Sequence, residues 1–385
     1  MKTTTSQKTT PTLRFPGFSD AWDEKKLGLI SQFSDEKISA GNFNESNFIG
    51  VDNLLPNLQG KTRSQYMPIK GKYSKYISGD ILHSNIRPYL RKAWQADSEG
   101  GASADVLVIR PNDNLNFKFL YYKITSESYF DYVMSGVKGV KMPRGDKDHI
   151  MNYLITIPTK IEQNKIADFL SSVDAWIYNL KKQKQNLESY KKGMMQKIFS
   201  QEMRFKDENC QDFTEWKEKR LGEVCEIKKG KQLNRSGLSE SVGFPVINGG
   251  VSPSGYTNIF NTEAGTITIS EGGNSCGYIN FLNTKFWSGG HCYSLSDLTP
   301  EIHVNFLYIF LKFKEENIMK LRVGSGLPNI QRKDLDKFIL KIPEIREQQK
   351  IFEFLGSVDN MLELKQKQIA YAEGWKKGVM QGVFI

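Results

Sequence analysis

Two stretches of the chain carry apolar residues in alternating steps of three and four. In residues 157–199 these are Ile166, Leu170, Val173, Ile177, Leu180, Leu187, Met194 and Ile198, with Lys184 and Lys191 as polar interruptions. In residues 342–384 they are Ile351, Leu355, Val358, Leu362, Ile369, Ala372, Val379 and Val383. A hydrophobic period of 3.5 residues lets one helix keep a continuous seam against another. Each stretch therefore predicts a long helix, and about 38 residues at 1.5 Å rise make a rod of roughly 57 Å. Two matched seams predict helices that pack on each other, antiparallel, rather than each lying only on its own domain. Lysines 181, 182, 184, 191 and 192 read as the solvated face of such a rod.

The two stretches are also copies of one another. The first opens IPTKIEQNKIADFLSSVD and the second IPEIREQQKIFEFLGSVD. A constant offset of 185 residues (Pro158 to Pro343) carries Glu162 onto Glu347, Lys165 onto Lys350, Asp174 onto Asp359 and Lys191-Lys192-Gly193 onto Lys376-Lys377-Gly378. A gapless match of this length predicts a chain built from one unit used twice.

The segments between agree less closely. Each half opens on an Arg-Phe pair and a W-x4-LG element: Arg14-Phe15 with Trp22 to Gly28, and Arg204-Phe205 with Trp216 to Gly222. Runs rich in β-branched residues, 103–109 and 265–270, predict strands. Residues 79–84 answer 265–270. Phe119-Leu120-Tyr121-Tyr122 answers Phe306-Leu307-Tyr308-Ile309, each inside a short amphipathic helix, and the turn at 139–143 answers 324–328. The expected fold is α+β: two pseudo-twofold-related globular domains, each followed by a long helix, the two helices packing as an antiparallel coiled coil. The expected divisions are a disordered tail over 1–12, a first domain over 13–157, its helix over 158–202, a second domain over 203–341 and its helix over 342–385.

Composition narrows the partner. The formal charge is +10 with pI near 9.1, spread along the chain, which points to a polyanion such as nucleic acid or an acidic membrane. No apolar run approaches the roughly 18 residues of a membrane span, and the polar N-terminus lacks the apolar core of a secretory signal. Four cysteines, Cys210, Cys225, Cys276 and Cys292, form no CxxC pair, as expected of reduced thiols in a cytoplasm.

Catalytic signals are sparse. There is no G-x-G-x-x-G after a strand, no P-loop and no N/D-P-P-Y/F methyltransferase motif. His83, His149, His291 and His303 stand in unrelated contexts, and His83 and His291 read as surface or hydrogen-bonding residues. The glycine-dense segment 271–278 reads as a turn between strands. A nuclease or methyltransferase dimerised by the helices, and a stand-alone DNA-binding protein, are the competing readings. What the chain does carry is basic and amide residues interleaved with aromatics: 84–94, 228–235 and 329–333. Arg and Lys neutralise phosphates, and Arg, Asn and Gln read base edges.

The doubled IP-x3-EQ-x-KI-x2-FL-x-S-VD opening, the K-K-G-x-M-Q-x-x-F endings, the RF and W-x4-LG domain starts and the G-x3-P turns resemble the specificity subunits of type I restriction-modification enzymes, over the whole chain from Leu13. The resemblance implies two target recognition domains reading one half each of a bipartite, asymmetric double-stranded DNA target, with helices as a ruler. It implies no catalysis and no cofactor in this chain. Two modification subunits would methylate adenine with S-adenosylmethionine, and restriction subunits would use ATP and Mg. Within that frame Arg87, Arg91 and Lys92 in the first domain, and Asn274, Lys285 and His291 in the second, are the candidates for DNA contact. Lys141, Arg144, Asn329 and Gln331, in the turns before the helices, are candidates for the DNA backbone.

Overall fold

A computed structural model describes residues 10–234, 238–324 and 326–384. Strands and helices mix throughout, and the chain divides into two compact units. The first takes residues up to Lys181 together with those from Lys367 onward; the second is Lys182–Gln366.

The units repeat one order of elements. In the first, strand Asp23–Lys26 pairs antiparallel with Leu154–Ile157; in the second, Lys217–Arg220 pairs with Ile339–Ile342. Each entering strand runs into a single helical turn, Leu27–Ile30 or Leu221–Val224, whose leucine is fully buried. The glycine after that leucine is required by close approach: a Cβ on Gly28 would lie 3.2 Å from Met151 Cβ, and one on Gly222 2.9 Å from Asp336 Oδ1. The W-x4-LG element is thus an entry strand followed by a turn pressed against the chain that leaves the domain.

A four-stranded antiparallel sheet follows, ordered Ser31–Phe33, Val106–Pro111, Ile81–Ser84, Ala93–Gln95 in the first unit. In the second the order is Glu226–Lys229, Cys292–Ser296, Thr266–Ser270, Ile279–Leu282. The predicted strands fall in these sheets. A smaller sheet in each unit contains one short parallel pair, Phe48–Ile49 with Gly100–Ala102 and Phe244–Ile247 with Trp287–Ser288. Helices Phe117–Ile124 and Val304–Phe313 bury Phe119 and Leu120, and Phe306 and Leu307, as the amphipathic pattern predicts.

The long helices are Lys160–Phe199 and Ile345–Val383. The seam residues are buried or half-buried throughout. Within the first unit, Val173, Ile177 and Leu180 pack with Ile369 and Ala372, and ion pairs join Asp174 to Lys376 at 2.5 Å and Lys181 to Glu373 at 2.6 Å. Partner numbers fall as residue numbers rise, so the segments run antiparallel. In the second unit Lys191 meets Asp359 at 2.5 Å. Lys181 and Lys191 therefore tie helix to helix, where the charge pattern suggested only a wet face.

Packing on the domains is also more extensive than the seam predicts. Ile166, Ala167 and Leu170, with Val379, Val383 and Phe384, enter the core of the first unit; Ile198, Phe199, Ile351 and Leu355 enter that of the second. Of the expected tail, residues 1–9 lie outside the described residues, whereas Pro11 is buried and the Leu13 N–H donates to the Gly382 carbonyl at 2.9 Å.

The Glu-Gln pair of each helix motif has a visible task. Glu162 accepts from Arg14 at 2.7 Å, and Glu347 from Arg204 at 2.8 Å and the Trp216 indole at 3.1 Å. Gln163 donates to the Pro158 carbonyl and accepts from the Asn116 N–H; Gln348 does the same with Pro343 and the His303 N–H. Each glutamate and glutamine is almost fully buried, so their polar atoms need these partners. The motif is a clamp holding the domain opening and the amphipathic helix onto the long helix.

Candidate nucleic-acid interface

The loop leaving the third-listed strand of each four-stranded sheet meets the turn that precedes the long helix, and the same backbone hydrogen bonds form in both units. The Arg87 N–H donates to the Pro143 carbonyl at 2.8 Å, as the Gly273 N–H does to Pro328 at 3.0 Å. The Asn85 N–H donates to Asp105, as the Glu271 N–H does to His291. Bridges join Ile86 to Arg144 and Gly272 to Asn329, while Lys138–Arg144 and Val323–Asn329 close the turns. Arg87 is thereby the counterpart of Gly273, Asp105 of His291, and Arg144 of Asn329. One frame carries different side chains.

Each unit has an open cleft beside this frame, beyond the end of the short parallel strand pair. In the first it is about 810 Å³ and includes Arg63, Gln65, Tyr66, Arg87, Lys92 and Asp105. In the second it is about 740 Å³ and includes Gln232, Asn248, Tyr256 and His291.

The predicted contacts sort by what already holds them. Arg87 and Lys92 line the first cleft, but the Lys92 ammonium donates to the Val51 carbonyl at 2.7 Å. Arg91 pairs with Glu127 at 3.3 Å and lies over the Phe130 ring. Lys377 at 2.9 Å, and then Arg91, hold the Glu127 carboxyl below its ordinary range. Arg144 pairs with Asp105 at 3.2 Å, and Lys141 is exposed. In the second unit His291 lines the cleft, its Nδ1 3.6 Å from Glu271 Oε2, and its N–H donates to Asn248 Oδ1 at 3.1 Å. Asn329 takes part in the frame, Asn274 and Gln331 are exposed, and Lys285 is placed away from the cleft, paired with Glu263 at 3.2 Å over the Phe260 ring.

Glu271 is the electrostatic centre of the second frame. Burial pushes its carboxyl up, but Lys229 at 2.5 Å, Tyr293 and Asn329 outweigh burial and hold it below the ordinary value. Lys228 is likewise engaged with Asp297 at 2.7 Å. The basic run 228–235 thus spends its first two charges within the unit, and Arg235 lies outside the described residues. His83, read as a surface or hydrogen-bonding residue, is instead buried at 1% exposure with both ring nitrogens unpartnered, stacked on Phe130.

Arg63, Gln65, Asn248 and Tyr256 are cleft residues that the pattern reading passed over. The segment KTRSQY over 61–66 has the same interleaving of base, amide and aromatic that singled out 84–94, so Arg63 was findable; Asn248 stands among glycines and carried no such signal. Among the described residues no group of three or more His, Cys, Asp or Glu is placed to hold a metal, and no helix is long and apolar enough to cross a membrane.

Comparison with known proteins agrees with this duplicated architecture. The chain is 27% identical over 308 residues to the type I restriction enzyme MjaVIII specificity subunit of Methanocaldococcus jannaschii, covering 72% of each chain. It is 37% identical over 150 residues to a putative type I specificity subunit of Mycoplasma pneumoniae, a match spanning 38% of this chain and 40% of that protein. The fold is that of the S subunit of a type I restriction-modification system from M. genitalium, with a TM-score of 0.64 at 19% identity over 98% of this chain and 99% of the other. A sequence model described as the type I restriction modification DNA specificity domain matches twice, over residues 20–189 and 214–373. The chain belongs to that family.

Proposed function

We propose that this DNA target-recognition chain reads a bipartite, asymmetric site, one half with each unit, and directs adenine methylation and restriction by partner subunits. The observation that carries the proposal is the doubled frame: the same backbone bonds hold two clefts whose side chains differ in charge and shape. A common scaffold with exchanged side chains suits two readers of unlike sequences. Unpaired cations and the +10 charge supply phosphate affinity that falls with salt, and side chains at the clefts supply the choice of bases. In this reading exposed Lys141 and Gln331, with Arg144 and Asn329, contact the DNA backbone, and exposed Asn274 contacts DNA from the second unit.

In this proposal the long helices set the distance between half-sites, because stiff linkage defines a spacing that a flexible linker would blur. Two modification subunits carry S-adenosylmethionine, restriction subunits carry ATP and Mg, and the complex works in the cytoplasm. The test is the adenine-methylation map of DNA from cells expressing this chain with and without cognate modification subunits. A bipartite methylated motif that needs both supports the proposal. Partners that are active with another specificity chain but add no motif with this one would refute it.

A further inference from the structure

Arg87 occupies a backbone position that its counterpart fills with glycine. The loop frame is the same in both units, and it forces a left-handed residue at this point: Gly273 has φ +74° and Arg87 has φ 50°. Glycine meets that demand without strain, whereas an arginine carries a Cβ that clashes in this region. Strained residues of this kind persist where the surroundings over-determine them, and they gather at working sites. The surroundings here do so. The Arg87 N–H is held by the Pro143 carbonyl, the Ile86 carbonyl accepts from the Ser84 hydroxyl, and the turn Pro88–Leu90 ends on a second left-handed residue, Arg91. The Leu90 and Arg91 carbonyls accept in turn from Asn57 and Leu58, both also left-handed.

The side chain so displayed is chemically available. Arg91 and Arg144 are committed to carboxylates and Lys92 to a carbonyl, but Arg87 is exposed at the cleft and its guanidinium makes no hydrogen bond or ion pair among the described residues. Arg63, also exposed, shares the cleft. A guanidinium fork on a rigid base matches the O6 and N7 acceptors of guanine in the major groove, and its rigidity lowers the ordering cost of that contact.

Resting on the function proposed above, we infer that Arg87 is a specificity-determining residue of the first unit and reads a guanine in its half-site. The alternative for an exposed arginine is a phosphate, and the two roles leave different marks. A base contact gives specificity at one position, whereas a phosphate contact weakens all sequences alike and reduces the salt slope.

The experiment uses the full chain assembled with its modification subunits on a library randomised across both half-sites. Replacing residues 203–341 by the matching domain of a relative marks the half-site of the first unit as the one that persists. Arg87→Lys keeps the charge but loses the fork, and Arg87→Gly adopts the residue of the second unit, so it relaxes the backbone and protects against simple misfolding. Expected is a G·C pair in the first half-site at which discrimination falls about tenfold to a hundredfold in both variants, while the other half-site, an internal control for folding, is unchanged. A first half-site with no G·C pair overturns the inference. So does a uniform loss in Arg87→Gly with full specificity in Arg87→Lys, which identifies a phosphate contact. Absence of any bipartite motif with the parent chain would instead refute the function on which the inference rests.

Discussion

His83 sits on strand Ile81–Ser84 with its ring stacked 5.4 Å from Phe130 and edge-on to Tyr129 at 5.7 Å. Burial alone lowers its pKa from 6.5 to about 4. The folded first unit thus holds a neutral imidazole, while the unfolded chain takes up a proton near pH 6.5. Stability is complete above that value and falls as the pH drops toward 4, by about 3 kcal/mol in all for a shift of this size. Hydrogen exchange of residues 81–84 is expected to accelerate across that window, and His83→Phe is expected to flatten the dependence; an unchanged acid limb would place the sensitivity elsewhere. Nothing in the local sequence announced this burial. His83 follows Ile81 and Leu82 and precedes a serine in a strand buried along its whole length, and the rings of Tyr129 and Phe130 come to it from a distant helix. Arg87 belongs to the same class: the residue was legible as basic, but its left-handed backbone was not.

At the scale of elements, the Glu-Gln clamp is where the helix motif acts. Removing one member of a buried ion pair leaves the other charge without its partner, typically at several kcal/mol. Glu347 is fully buried and serves both Arg204 and Trp216, so Glu347→Ala is expected to destabilise the second unit by about 3 kcal/mol. Truncating Asp297, in an exposed pair with Lys228, is expected to leave the denaturation midpoint unmoved. Urea denaturation of the two variants checks the contrast. The long helices carry a second expectation, within the proposed function. Inserting one heptad in each is expected to change the tolerated spacer and leave both half-sites unchanged, because seven residues preserve the seam while adding about 10 Å of rise. Methylation mapping checks it, and altered half-sites at a fixed spacer would contradict a ruler. Seam and repeat were readable from spacing. The ties of Lys181 and Lys191 to acidic residues were not, because their carboxylate partners, Glu373 and Asp359, lie far away in sequence.

Across the whole molecule, the first unit is not one continuous piece of sequence, since it takes residues up to Lys181 and again from Lys367 onward, while the second is Lys182–Gln366 and includes part of each long helix. The core of the first includes Val379, Val383 and Phe384, and that of the second includes Ile198 and Phe199 together with Ile351. A domain brought in from a relative is expected to fold where it keeps the apolar contacts with Ile198, Phe199, Ile351 and Leu355. On the proposed reading, replacing residues 203–341 by the corresponding domain of a relative is expected to alter one half of the methylated motif alone. A change in both halves would show that the units do not read independently.

Sequence alone determined the duplication, the two long helices, the strand and helix positions that answer one another between the halves, and the family. These rest on periodicity and on repeated motifs, which local chemistry imposes and a second copy makes visible. Tertiary structure decided which charges remain for a ligand. Of the basic residues singled out in the first unit, Arg91, Arg144 and Lys92 have partners within the unit, Lys141 is exposed, and Arg87, joined by the unforeseen Arg63, faces the cleft unpaired among the described residues. An arginine's availability depends on the carboxylates and carbonyls that folding brings beside it from distant positions, and no local pattern records those neighbours.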